Sequence, residues 1–101
     1  MPSHTELLFN HTCSLLRTQL NEIESNLTLA VHQGQSLHGI ETKLYHLQEK
    51  ITYTHTLYES KRYKIPLFTQ HITEIENKYK GLCIAVTVLL EQELNTELHY
   101  F

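Results

Sequence analysis

Phe9, Cys13, Leu16, Leu20, Ile23, Leu27 and Ala30 follow one another in strictly alternating steps of four and three residues. A strand turns consecutive side chains to opposite faces, so this spacing suits only a helix that buries one seam. A seam sustained over three heptads predicts a helix over residues 4–33 packed against other helices. Pro2-Ser3 followed by Glu6 has the spacing of a capping box, in which Ser3 takes up a free amide of the first turn. Gly34 stands where a left-handed residue would close the helix.

The same alternation recurs in Leu37, Ile40, Leu44, Leu47, Ile51, Thr54 and Tyr58, predicting a second helix over 37–64 with Ser36 as its cap. Thr and Tyr crowd Ile51 to Tyr58 and favour strand locally, but the seam and both flanks are helical in period. Ile65-Pro66 interrupts the chain, and proline at a first helical position opens a third helix over 66–99. Its seam is Phe68, Ile72, Ile75, Tyr79, Leu82, Val86 and Leu89, drifting to Leu90, Leu94 and Leu98. Gly81, close behind Lys78 and Lys80, has the look of a helix end. The seam passes straight through it, so one long helix is expected, with a break at Gly81 as the alternative. The fold class is therefore all-α: three long antiparallel helices in one domain, an up-down-up bundle or antiparallel coiled coil.

Few catalytic devices fit this chain. It has no Asp, no Gly-rich phosphate loop and no nucleophile elbow. Cys13 falls on a core seam and Cys83 in the most apolar run, positions where a thiol behaves as a small hydrophobe. No enzyme activity and no cofactor are expected. The apolar run Leu82 to Leu90 is about half the roughly 20 residues a bilayer span requires. The stretch Met1 to Phe9 has no Lys or Arg and no unbroken apolar core, so no secretory signal is read there. A cytoplasmic location is the expectation. No stretch of the sequence identifies a family.

Eight histidines raise the question of metal. None forms the i, i+3 or i, i+4 pair that helical metal sites use. The nearest alternative joins His46 and Glu49 with His71 and Glu74 across two helices, with the His-Glu order reversed from that of helical di-metal proteins. A second alternative is a basic and aromatic cluster, Tyr58, Lys61, Arg62, Tyr63 and Lys64, of the kind that stacks on single-stranded nucleic acid. Against it stand a formal net charge of −3 and acidic helices on either side, the middle helix alone being basic.

Surplus hydrophobicity is more telling. Leu8, Leu15 and Leu29 lie in heptad register beside the first seam, and Gly81, Ile84 and Val88 form a second face behind the third. A bundle needs one apolar face per helix. The extra faces predict contact with another protein or with a second copy. The expected function is that of a small adaptor, assembly factor, secretion-type chaperone or inhibitor, with nucleic acid and membrane spans disfavoured.

Overall fold

The computed structural model describes the backbone of residues 2–99 and the side chains of residues 2–94. Leu98, at the end of the third seam, lies outside the described side chains. The elements are α1 (His4–Gln33), α2 (His38–Glu59), a 3-10 turn (Arg62–Lys64) and α3 (Phe68–His99). At the start of α1, the Glu6 amide donates to Ser3 Oγ at 3.1 Å, as the spacing predicts. At its end, Gly34 is left-handed with φ 65°. Both the Gly34 and Gln35 amides donate to the Ala30 carbonyl, closing the helix through a residue that has no Cβ to clash. α2 starts at His38 with Leu37, not Ser36, at its N-cap and no side-chain cap bond; Ser36 stands one residue earlier, its Oγ accepting the His38 amide at 3.2 Å.

The side chains set the direction of each helix. Ala30 shares a recess with Leu37, Ile23 another with Leu47, and Phe9 meets the edge of Tyr58 with centroids 5.3 Å apart. α1 and α2 are therefore antiparallel. α3 returns parallel to α1: Phe9 also lies 5.2 Å from Phe68, Arg17 reaches Glu74, and Glu24 reaches Lys78. The molecule is an up-down-up three-helix bundle, 62 Å long and 20 by 18 Å across.

All seven residues of the first seam are buried. So are Leu37 to Thr54 of the second seam, and Phe68, Ile72, Ile75, Leu82 and Val86 of the third. Thr54 is the polar exception, and its hydroxyl donates to the Lys50 carbonyl at 2.8 Å, so this buried donor is satisfied. Tyr58, Tyr79 and Leu89 are half-buried at the edges of the same core.

The second connection differs from expectation. α2 stops at Glu59 instead of residue 64, and α3 starts at Phe68 instead of residue 66. The Lys61, Lys64 and Ile65 amides each donate three residues back, tightening the chain out of α-helix. Ile65, extended as the residue before a proline must be, turns its side chain into the core. Leu67 then takes a left-handed conformation, φ 60°, before the chain re-enters a helix. Pro66 sits in this turn, ahead of the helix it was expected to open. Gly81 causes no break, because α3 runs unbroken through it.

Candidate interaction surface

Three helices make three outer grooves, and the side chains treat them differently. The α1/α3 groove is bridged by charge. Arg17 donates to His71 Nδ1 at 2.8 Å and lies 3.5 Å from Glu74, while Lys78 donates to Asn21 and lies 3.8 Å from Glu24. The α2/α3 groove is bridged by His55, whose Nδ1 is 2.9 Å from Glu76 Oε1 and whose Nε2 is 3.2 Å from Glu59. The 2.9 Å approach has no hydrogen-bond alignment, and Glu76 Oε1 is shut off from solvent with no hydrogen bond. Nearby, burial and a hydrogen bond with Cys83 push the Tyr79 phenol well above its ordinary range.

The α1/α2 groove has neither kind of bridge. Among the described residues, no side-chain hydrogen bond or ion pair crosses from α1 to α2. A recess of about 190 Å³ opens there, with Gln19, Glu22 and Asn26 on one wall and Lys43, His46 and Lys50 on the other. Lys43 and Lys50 make no ion pair.

Leu8, Leu15 and Leu29 stand in steps of seven with Glu22, which places all three along the α1 wall of this groove. Each is about half exposed. On the facing wall Leu57 continues the heptad step of Lys43 and Lys50, and it too is half exposed. Since Phe9 faces Tyr58, Leu57 falls between the levels of Leu8 and Leu15. Leu57, Lys43 and Lys50 were not legible as surface partners of the leucine row. The heptad pattern gives each helix its faces, whereas the register between helices comes from packing.

The other predicted face looks elsewhere. Ile84 is 65% exposed, and Val88 and Gly81 are also exposed. Gly81 and Val88 share the heptad step of Glu74, on the α1/α3 side of α3. The two apolar faces predicted together are thus separate surfaces.

The basic and aromatic cluster is largely committed to the fold. Tyr58 packs on Phe9, and Arg62 pairs with Glu59 at 2.8 Å, donates to Thr69 Oγ1 and covers the Phe68 ring. Lys64 lies over the Tyr63 ring, and Lys61 is exposed at the turn. The four residues considered for metal do not converge. His46 lines the α1/α2 recess, His71 and Glu74 meet Arg17 across the α1/α3 groove, and Glu49 faces outward. Among the described residues, no group of three or more His, Cys, Asp or Glu side chains is arranged to hold a metal ion. Both cysteines are free thiols, and burial raises that of Cys13 to about 11 despite the nearby Arg17.

The fold and this surface define an all-α bundle with one unbridged, partly apolar flank. No family model, curated protein or solved structure matches the chain. Among the described residues, no helix is long and apolar enough to cross a membrane.

Proposed function

We propose that the protein is a non-catalytic binding protein that takes a helix of another protein against the α1/α2 flank. The observation that carries this reading is the row Leu8, Leu15 and Leu29, about half exposed while the inner seam of the same helix is fully buried. The bundle already has its core, so the outer leucines add little to it. Each leucine that an incoming helix covers contributes roughly 1.5–3 kcal/mol before association costs. Recognition of this kind, apolar anchors spaced by turns of a helix, is a common protein-binding mode. Adaptor, assembly factor, chaperone and inhibitor all share it.

Site-directed photocrosslinking tests the reading. A photoreactive phenylalanine at position 15 should capture a protein in source-cell extract, and the same probe at Glu49, on the outer face of α2, should not. Equal capture at both positions, or none at position 15, refutes the assignment. A product of twice the chain mass identifies a second copy as the partner.

A further inference from the structure

We infer that the helix recognised by the α1/α2 flank is acidic as well as apolar: an amphipathic segment whose carboxylates meet Lys43 and Lys50. The inference rests on the proposed binding function and specifies its partner.

Among the described residues, the α1/α2 groove holds more unpaired lysines than either of the other two. In the α1/α3 groove every cation is answered by a carboxylate or amide across the gap. In the α2/α3 groove His55 faces two carboxylates, Glu59 and Glu76, and the single lysine of that recess, Lys80, forms no ion pair but shares it with Glu76. In the α1/α2 recess Lys43, His46 and Lys50 face one acid, Glu22, and neither lysine forms an ion pair. Lys43 and Lys50 are seven residues apart, so their charges repeat every ~10.5 Å along the helix. Leu57 extends that row towards Leu8 and Leu15, and Leu29 lies beyond Lys43 at the other end. A ligand covering the whole strip must therefore be apolar at both ends and negative between. A helix of about three heptads meets that demand, with leucines on one stripe and glutamates at seven-residue spacing beside it. A phosphate backbone fits less well, because it gains nothing from the leucines and the chain as a whole carries a net charge of −3. Across such an interface, opposite charges set partner choice, and like charges placed opposite each other are strongly excluded.

Two fluorescent peptides test this by anisotropy at low salt. Both are three-heptad helices with leucine seams, one with glutamates flanking the seam and the other with lysines in their place. The glutamate peptide should bind the protein at least about tenfold more tightly, a difference of ~1.4 kcal/mol. The variant Lys43→Glu/Lys50→Glu, altered at two exposed positions, should invert the preference while keeping its helical circular dichroism. Leu8→Ala/Leu15→Ala should weaken both peptides together. If the leucine variant weakens both peptides but glutamate gives no advantage, charge selection is wrong and the binding function stands. If neither peptide binds, or the leucine variant changes nothing, both readings fall. Tighter binding of a single-stranded oligonucleotide than of the glutamate peptide, lost in the lysine variant and kept in the leucine variant, overturns the assignment in favour of nucleic acid. Concentration-dependent dimerisation that Leu15→Glu abolishes, with no peptide binding, overturns it in favour of a second copy.

Discussion

Leu15 and Leu20 offer the same substitution on one helix at two opposite faces. Leu20 is 0% exposed and Leu15 is 52% exposed. Changing Leu20 to Ala loses the transfer free energy of the removed carbons and leaves a cavity, a cost of about 2.7–5 kcal/mol. Leu15→Ala removes a side chain already half in water. That loss should stay below about 1 kcal/mol, and alanine's helix propensity offsets part of it. Urea unfolding followed at 222 nm separates the two. With a slope near ~1.5 kcal/mol/M, the midpoint should fall by about 2–3 M for Leu20→Ala and by under ~0.7 M for Leu15→Ala. The order should reverse in binding, with Leu15→Ala weakening peptide capture and any folded fraction of Leu20→Ala retaining it. Equal midpoint losses would refute the reasoning, because Leu15 would then belong to the core and the outer row would be no free surface.

Three further perturbations have definite outcomes. Leu67 is left-handed and 62% exposed, so Leu67→Gly relieves a ~1–2 kcal/mol penalty at the expense of glycine's freedom in the unfolded chain. Calorimetry should show an unchanged or higher Tm, and a clear fall would mean that the leucine side chain holds the turn. The Cys13 thiol is raised from 9.0 to about 11 by burial. Its neutral form stabilises the fold fully below pH 9, and that contribution is lost as pH rises through 11. Stability should therefore decline over that alkaline window more steeply in the native chain than in Cys13→Ala, and parallel curves would contradict the assignment. Ile84→Glu/Val88→Lys places a favourable i, i+4 pair on an exposed face of α3. It should leave stability within about 0.5 kcal/mol, and unfolding of the double variant would assign both residues to the core.

The helices were legible because their seams repeat. Every residue from Phe9 to Ala30 in the first seam is buried, and Ser3 and Gly34 cap α1 where their chemistry suits them, whereas the cap of α2 falls on Leu37 and not on Ser36. The turn after α2 was not legible to the residue. Proline's restriction on Ile65 was readable, but the burial of Ile65 and the left-handed Leu67 depend on where α3 must dock. For the surface, the outward leucines could be named from heptad register alone. Their pairing with Lys43, Lys50 and Leu57 could not, because it depends on α1 and α2 lying antiparallel at one particular offset. The His55–Glu76 contact was missed for the same reason: its members are 21 residues apart on different helices.

The ion pairs of the α1/α3 groove also bear on time. They join residues 54–57 apart in sequence, whereas each helix hairpin is closed by a short turn. Long-range closure costs more chain entropy, so Arg17 and Lys78 are expected to engage their partners after the hairpins have formed. Contacts made that late are absent from the folding transition state, and their loss appears almost wholly in the unfolding rate. Arg17→Ala/Lys78→Ala should leave the refolding arm of a chevron in place and raise the unfolding arm. With that outcome, the charges between α1 and α3 would be a latch, lengthening the time the bundle stays shut by the modest factor half-exposed pairs allow and leaving its rate of assembly unchanged.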